Sequence, residues 1–361
     1  MSRYYTRACN FYYGEISKNL VKKNKTLPLN GNNEISFDKV ELISRKTKKK
    51  ILIKNLNKLP KLFKKSVIED LKNITSRKKN FANLNFSKSP NIMGILNLTP
   101  DSFSDGGKFN NKKRGVKQAL KMYKLGANLI DVGGESTRPG SKKVNEKVEW
   151  SRIKKVLELI CNKVPVSLDT RKSEIMEKGI KLGIKIINDV SGLEHDVKTK
   201  YILKKYKIPF IIQHSQGTPE NMQINPSYEN EVLDIYDFFE KKIKFLRSIG
   251  IKHNNIIIDP GIGFGKNLKH NMNLIRNISI FHTLGFPILV GNSRKKFIKE
   301  LSEKNDTYKR IGGTVASSLY LLMQGVQILR IHDVDETLQG IKVFKELIQK
   351  KWQKNILEQT A

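Results

Sequence analysis

Polar and ionisable residues follow a series of short apolar runs between residues 91 and 332. One group accepts hydrogen bonds, which suits a ligand whose ring carries several N–H donors, such as an amino-heterocycle. The other group is cationic or can become so, and paired arginine side chains match phosphate geometry. The acceptors are Asp131, Asp169, Asn188 and Asp259, and the cations are Arg138, Arg294, Lys295, Arg330 and His332. The sequence therefore predicts a substrate with a donor-rich head and a phosphorylated tail.

Three polar or glycine-rich stretches extend this set of residues. GILNLTPDSFSDGG (94–107) begins as an apolar strand and breaks at Asn97 into small polar residues and two acids. DVGGESTRPGS (131–141) and DPGIGFGKN (259–267) are loops whose backbone N–H groups we expect to approach oxyanions. One Asp or Asn after a strand is often only a helix N-cap. Polar groups at every strand end together favour a binding site.

The elements that must position these residues are strands and helices in alternation. Eight apolar runs are separated by amphipathic segments of helical length, which is typical of a parallel sheet covered by helices. The runs are NIMGILN, ANLIDV, VPVSLD, IKIINDV, IPFIIQH, NIIIDP, FPILVGN and VQILRIH. This pattern predicts the α/β class and a TIM (β/α)8 barrel, whose site lies at the carboxyl ends of the strands. A doubly wound sheet is the competitor, but no G-x-G-x-x-G turn follows the first run.

Residues 1–88 have a different pattern and predict a small N-terminal α+β extension, with the barrel over residues 89–361. EISFDKVELISR and KKILIKN read as strands, and Asn30-Gly31 can turn a hairpin. LPKLFKKSVIEDLKNI reads as an amphipathic helix and FANLNFSKSP as a linker. No catalytic cluster is visible here, and the role of the extension stays open.

Composition restricts the cellular setting and the partners. The hydrophobic fraction of 38% predicts a globular protein, and no apolar run reaches the roughly 18 residues of a membrane span. The net charge of +34 raises the possibility of a nucleic-acid surface, but scattered lysines and abundant Asn and Ile favour compositional drift. Two distant cysteines predict a reduced, cytoplasmic protein. We expect no nucleic-acid partner and no membrane partner.

Seven segments in order resemble the signatures of the dihydropteroate synthase family of the folate pathway. They are GILNLTPDSFSDGG, DVGGESTRPGS, VSLDTRKSE, IINDVSG, IDPGIGFGKN, LVGNSRK and RIHDVDET, within residues 91–343. The resemblance implies a pterin-binding barrel that joins p-aminobenzoate to 6-hydroxymethyl-7,8-dihydropterin diphosphate and releases pyrophosphate. It also implies a homodimer, with contacts around residues 312–324 and 336–349.

The resemblance further implies a role for each matching position. The expected metal is Mg²⁺, held by Asn97 and Asp105. Asn97, Asp169, Lys295, Arg330 and His332 are the implied catalytic residues. The pterin is expected at Asp169, Asn188, Asp259 and Lys295, the diphosphate at Asn97, Arg330 and His332, and p-aminobenzoate at Thr137, Arg138, Pro139, Phe103 and Phe264, with Lys295 nearby. Asp131 is expected to support the pterin or the second loop.

Two positions depart from the family pattern, and two other functions remain open at this point. Ser215 stands where relatives often have a methionine against the pterin, and Lys296 stands where a serine is common. A pterin-binding methyltransferase domain would share Asp169, Asn188 and Asp259 but would not need the diphosphate set. A basic RNA-binding protein would cluster cations with aromatic residues. For the synthase, the absence of a placed nucleophile predicts dissociative departure of pyrophosphate before the arylamine attacks.

Overall fold

The eight runs form a closed parallel barrel in the computed structural model, which describes residues 3–87, 90–99, 108–136, 140–141, 143–218 and 220–349. The strands are β5 (Asn91–Asn97), β6 (Leu129–Gly133), β7 (Val166–Asp169), β8 (Ile186–Asp189), β9 (Phe210–Gln213), β10 (Ile256–Asp259), β11 (Leu289–Val290) and β12 (Ile328–Ile331). They pair in the order β10-β9-β8-β7-β6-β5-β12-β11, and a parallel bridge from Ile258 to Ile288 joins the two ends. The predicted TIM barrel is confirmed.

Helices cover the outside of the barrel, because each carries one apolar face toward the strands. They are α3 (Lys108–Lys124), α4 (Glu146–Ile160), α5 (Ser173–Lys181), α6 (Thr199–Tyr206), α7 (Glu231–Ser248), α8 (Leu268–Arg276), α9 (Lys296–Ser302), α10 (Ile311–Met323) and α11 (Val334–Gln349), with 3₁₀ helices at Ile278–Leu284 and Tyr308–Arg310. Asn145, Asn230 and Asn267 cap α4, α7 and α8 through their side chains. Within the described ranges, no helix is long and apolar enough to cross a membrane.

The N-terminal region is an α+β unit, as predicted. Its elements are β1 (Tyr5–Tyr13), α1 (Gly14–Lys22), β2 (Leu27–Leu29), β3 (Asn32–Ile43), β4 (Lys48–Leu52), a 3₁₀ helix (Ile53–Lys58) and α2 (Lys61–Thr75). The central strand β3 pairs antiparallel with β1, β2 and β4. Asn30 and Gly31 turn the β2–β3 hairpin with φ of 54° and 68°, which is the geometry that an Asn-Gly pair favours. The sequence patterns did not predict β1.

The unit lies against the barrel's side, over α7, the 3₁₀ helix 278–284 and the end of α10. Tyrosine and arginine side chains of the unit donate hydrogen bonds to acidic residues of α7. Backbone carbonyls of the unit and of the barrel accept hydrogen bonds from hydroxyl groups across the contact. The contacts are Tyr5 Oη to Asp237 Oδ1 (2.9 Å), Arg45 Nη1 to Asp234 Oδ1 (2.7 Å), Ser279 Oγ to the Ala8 carbonyl (3.1 Å) and Tyr13 Oη to the Met323 carbonyl (2.9 Å).

Residues 81–87 of the segment predicted as a linker close the barrel at the amino ends of its strands, which we call its lower mouth. Leu84 and Phe86 are buried there, and they pack on a layer of inward-facing residues. That layer, which we call the floor, consists of Met93, Leu129, Ile186, Ile211, Ile257, Leu289 and Ile328. The linker prediction was wrong because a short, irregular segment shows no periodicity even when two of its side chains are core residues.

Candidate active site

The side chains that point into the barrel change from apolar to polar between one inward-facing position of a strand and the next. Residues two apart on a strand share a face, so the position two residues after a floor residue also points inward. On five strands that position is polar, and the set, which we call the polar layer, is Asp131, Asn188, Gln213, Asp259 and Arg330. Four of the predicted site residues thus point into the barrel, where side-chain bonds join Asp131 to Asn188 and Arg330, and the fifth, Gln213, had no predicted role.

Arg330, on β12, is bonded to side chains of β6 and β7. Its Nε donates to Asp131 Oδ2 at 2.6 Å, and its Nη2 donates to Asp169 Oδ2 at 2.7 Å. Asn188 Nδ2 donates to the same Asp131 oxygen at 3.0 Å. Asp169 does not cap the helix that follows it, because Lys172 is the N-cap of α5 and the first helical N–H, that of Ser173, donates to Asp196 Oδ2 at 2.8 Å. This carboxylate is therefore held for the interior of the barrel.

Two further oxygens of this network have no hydrogen-bond partner within the part of the chain that the structure describes. They are Asp131 Oδ1 and Asn188 Oδ1, and both residues are buried, with at most 1% exposure. Buried polar atoms are nearly always paired, and leaving one unpaired costs about 1–3 kcal/mol. These atoms therefore indicate a place for a polar ligand.

Burial also shifts the pKa values of the acids and cations in the site. It raises the pKa of Asp169 to about 8 and that of Asp259 to about 6. It lowers the pKa of Lys295 to about 8, and the nearby Arg330 acts in the same direction. Burial acts to lower the pKa of Arg330 as well, but the carboxylates of Asp131 and Asp169 outweigh it and raise that pKa. A ligand that supplies donors to the acids and acceptors to the cations would stabilise these charged forms.

The glycine loop after β10 uses its backbone N–H groups internally. Gly261 N donates to Asp259 Oδ1 at 2.8 Å, Gly263 N to Asn271 Oδ1 at 2.7 Å, and Phe264 N to the Gly261 carbonyl at 3.1 Å. Gly261 has φ +70°, and a Cβ there would lie 1.9 Å from the His214 carbonyl oxygen. The expectation that these three N–H groups approach an oxyanion is wrong, since the loop is a tightly folded support.

Lys266 holds this loop from inside and was missed by the sequence reasoning. Its Nζ donates to the carbonyls of Gly261 (3.0 Å) and Phe264 (2.9 Å) and lies 3.1 Å from His214 Nδ1. Burial lowers its pKa to about 7. The loop in turn presents the Phe264 ring 4.1 Å from Lys295 Nζ. Its position at the end of the GIGFG stretch was the only sign in the sequence that Lys266 could contact this loop.

His332 and Arg294, in the loops after β12 and β11, contact different partners. His332 Nδ1 lies 3.0 Å from Ser293 Oγ, which holds the imidazole at the strand end. Arg294 forms an ion pair with Asp333, with Nε 3.0 Å from Oδ2, and its guanidinium lies 4.4 Å from the ring centre of Tyr308. The expectation that Arg294 serves the anionic tail is not supported, because these neighbours already satisfy its charge.

A second charged cluster, also missed, includes Glu135 just after β6. The Glu135 carboxylate accepts from Val144 N at 3.0 Å and pairs with Arg171 and Lys172, each at 3.0 Å. Lys172 pairs with Glu149 too. Burial opposes the charge of Glu135, but these donors together lower its pKa to about 2. The partners are up to 37 positions apart, so only the fold shows that they meet.

Five predicted site residues lie outside the described residues: Phe103, Asp105, Thr137, Arg138 and Pro139. Among the described residues, no group of three or more His, Cys, Asp or Glu side chains could hold a metal ion. Asn97 ends β5, half-buried at the mouth of the barrel. Its amide oxygen is the hard donor that Mg²⁺ prefers, and Mg²⁺ needs only one or two protein ligands beside phosphate and water. This donor fits the expected ion.

Comparison with known proteins matches the barrel to one family. A family model described as pterin binding enzyme matches residues 93–332. A dihydropteroate synthase of Neisseria meningitidis serogroup C is 40% identical over 262 residues, which cover 72% of this chain and 93% of that protein.

Solved structures agree with the sequence matches. Yersinia pestis dihydropteroate synthase in a sulfonamide drug complex aligns with a TM-score of 0.70 and 39% identity, covering 74% of this chain and 97% of that one. Dihydropteroate synthase from Xanthomonas albilineans in complex with 7,8-dihydropteroate gives 0.67 and 31%, over 74% and 97% of the two chains. The matched region runs from within β5 to just after β12, and the chain belongs to the dihydropteroate synthase family of pterin-binding enzymes.

Proposed function

We propose that the carboxyl end of this barrel condenses 6-hydroxymethyl-7,8-dihydropterin diphosphate with p-aminobenzoate, giving 7,8-dihydropteroate and pyrophosphate. The enzyme is a transferase of folate biosynthesis. The observation that carries the proposal is the Arg330 network, in which Asp131, Asp169 and Asn188 converge and two buried oxygens lack partners. These oxygens complement the N–H donors of a pterin ring.

The pterin is assigned to the polar layer and its upper rim. Asp169, Asn188 and Asp259 would accept hydrogen bonds from the ring N–H groups, and Lys295 would donate to a ring acceptor. Asp169, Asn188 and Asp259 are buried, so each bond formed there replaces an unfavourable buried charge or unpaired atom. Asp131 keeps Arg330 and Asn188 in place through Oδ2, which leaves its Oδ1 for the ring.

The diphosphate is assigned to the rim, beside Asn97, Arg330 and His332. Arg330 is charged and oriented by its two carboxylates, and Ser293 fixes the imidazole of His332. We propose Mg²⁺ as the cofactor, held by Asn97 and by Asp105, which lies outside the described residues. When bound, the ion would neutralise part of the diphosphate charge.

The reaction then depends on placement and electrostatics. The C–O bond from the pterin methylene to the diphosphate breaks first, and the cationic rim stabilises the negative charge that develops on the leaving group. The neutral amine of p-aminobenzoate forms the new C–N bond and loses a proton. Phe264 and Lys295 would flank this substrate, together with Phe103, Thr137, Arg138 and Pro139.

The direct experiment measures product and pyrophosphate together. Purified protein, Mg²⁺, the pterin diphosphate and p-aminobenzoate should yield dihydropteroate and pyrophosphate in equal amounts, with neither formed when one substrate is omitted. Pyrophosphate release that does not depend on p-aminobenzoate would show a hydrolase and would contradict the proposal.

We also propose that the protein is a homodimer with contacts around residues 312–324 and 336–349, where α10 borders an apolar groove that it shares with α8 and α9. A groove of about 350 Å³ there is lined by Met272, Ile275, Phe297, Leu301 and Tyr320, and Leu301 is 59% exposed. An apolar patch of this kind is typical of a contact surface. Sedimentation should give twice the mass of one chain, whereas a monomer at micromolar concentration would contradict it.

The cellular setting and the domain boundary are proposals as well. The free thiols of Cys9 and Cys161 support a reduced, cytoplasmic location, which cell fractionation would test. The change from antiparallel to parallel pairing between β4 and β5 supports a boundary in this part of the chain, proposed between residues 88 and 89, with Leu84 and Phe86 reaching across it to pack on the floor. Limited proteolysis should cut first near it if the two parts unfold separately.

A further inference from the structure

Gln213 is a buried amide inside the barrel to which neither the family resemblance nor the reaction above gives a role. It ends β9, and Ile211, two residues earlier, belongs to the floor, so Gln213 points into the barrel. Only 4% of the residue is exposed, and its Nε2 has no hydrogen-bond partner within the part of the chain that the structure describes. A buried amide donor of this kind requires an explanation.

The surroundings of Gln213 show which partner is missing. Gln213 and Asp259 are register neighbours on β9 and β10, where strands lie about 4.8 Å apart. Gly261 crosses above, and a Cβ there would be 3.4 Å from Gln213 Cγ. Asp259 presents a carboxylate acceptor, and Gln213, beside it on the neighbouring strand, presents an N–H donor. The two together form an acceptor–donor edge.

We propose that Gln213 is a specificity-determining residue that donates a hydrogen bond from Nε2 to the lactam carbonyl of the pterin ring. In a lactam, the carbonyl lies directly beside an N–H group, so an acceptor–donor edge matches it. Asp259 accepts from the ring N–H, and Gln213 donates to the adjacent carbonyl. This inference rests on the proposed function, because it assigns the pterin to the same layer.

A purely structural role is the competing explanation, and Gln327 shows what that looks like. Gln327 is buried at 1% exposure and its Nε2 also lacks a partner among the described residues, but its Oε1 accepts from the backbone N–H of Ile288 at 2.8 Å, which ties the starts of two strands together. The structure gives no such bond for the side chain of Gln213 among the described residues. Gln327 lies before β12, at the floor end of the barrel, and serves as the matched control.

The test compares two ring systems by calorimetry. The probes are 6-hydroxymethylpterin and its 2,4-diamino analogue, in which an amino group replaces the carbonyl. Gln213→Met keeps the side-chain volume but removes the donor, so affinity for the pterin should fall about three- to tenfold. Affinity for the diamino analogue should change by less than about twofold, since that ring offers no carbonyl. Gln213→Glu replaces the donor with an acceptor and should weaken pterin binding further.

The controls separate binding from folding. Gln327→Met should lower thermal stability and leave both affinities unchanged. In turnover, Gln213→Met should raise the Michaelis constant for the pterin diphosphate but not for p-aminobenzoate. Equal losses for both ring systems would assign Gln213 to packing, and unchanged pterin affinity would overturn the inference while the enzyme remained a synthase. A wild-type protein that neither bound pterin nor turned over would overturn the proposed function and this assignment together.

Discussion

The floor and the polar layer occupy the same strands, two residues apart, yet they differ in almost every physical respect. The floor is apolar and is closed from below by Leu84 and Phe86, both at most 2% exposed. The polar layer, with Asp169 at its rim, holds buried charges, carboxyl groups of raised pKa and unpartnered amide and carboxylate atoms. Stability and binding are therefore separated along the barrel axis, and each end should respond to substitution in its own way.

The largest expected effect comes from removing the cation that unites the polar layer. Arg330→Met would leave Asp131 and Asp169 buried without their partner, which costs about 3–5 kcal/mol of stability. It would also remove the guanidinium beside the diphosphate, so kcat/KM should fall at least about a hundredfold. Steady-state kinetics and urea unfolding measure the two losses.

Arg330→Lys serves as the control, because it keeps the charge but cannot bridge two carboxylates as a fork. It should fold and still lose at least about tenfold in kcat/KM. Near-normal turnover of Arg330→Lys would show that charge alone, rather than the bridged geometry, matters at this position.

The floor should show the opposite behaviour. Phe86→Ala removes a fully buried ring and should lower the free energy of unfolding by about 3–5 kcal/mol. Both Michaelis constants should stay unchanged, because the ring lies at the far end of the barrel. Phe81→Ala, at a half-buried neighbour whose ring centre is 5.2 Å away, should cost less. A changed pterin affinity in folded Phe86→Ala protein would show that the two ends are not independent.

For the same reason, a truncation that removes the first 85 residues is expected to fold poorly, since it takes away Leu84 and part of the segment that covers the floor.

A more conservative change sharpens the comparison at the rim. Asp169→Asn keeps the shape but offers an amide N–H to a ring donor, and it removes a negative charge near the methylene. Pterin affinity and turnover should each fall at least about tenfold, taking 1.4 kcal/mol per decade. Folding should survive, because the free protein holds Asp169 protonated near neutral pH and Arg330 keeps its ion pair with Asp131. A well-folded variant with near-normal affinity and turnover would contradict the assignment of Asp169 to the pterin.

The smallest effect is a pH dependence of pterin binding. The folded pKa of Asp169, about 8, lies above the ordinary value of 3.8, so between these limits the free protein holds a proton that the unfolded chain has lost. Stability from this group therefore falls as pH rises through that window. Ring N–H donors favour the carboxylate, so pterin affinity should rise about fivefold from pH 7 to pH 8, with proton release. Calorimetry in two buffers detects the proton, and Asp169→Asn should remove it.

The sequence predicted the barrel and much of the site, because both follow from patterns within single strands. Length and apolarity revealed all eight strands, and Asn30-Gly31 revealed its hairpin. What escaped prediction depends on contacts between distant segments. Leu84 and Phe86 are core residues only because the barrel mouth lies above them, and Arg294 differs from Arg330 only through Asp333. Gln213 became visible once the register placed it beside Asp259.

The most direct test of the central claim is a crystal structure of this protein with 6-hydroxymethylpterin. We predict that the ring lies above the floor, with its N–H groups on Asp259 and Asn188 and its hydroxymethyl group directed toward Arg330 and His332. A pterin bound outside the barrel mouth, or one whose ring donors contact none of Asp131, Asp169 and Asp259, would contradict this assignment.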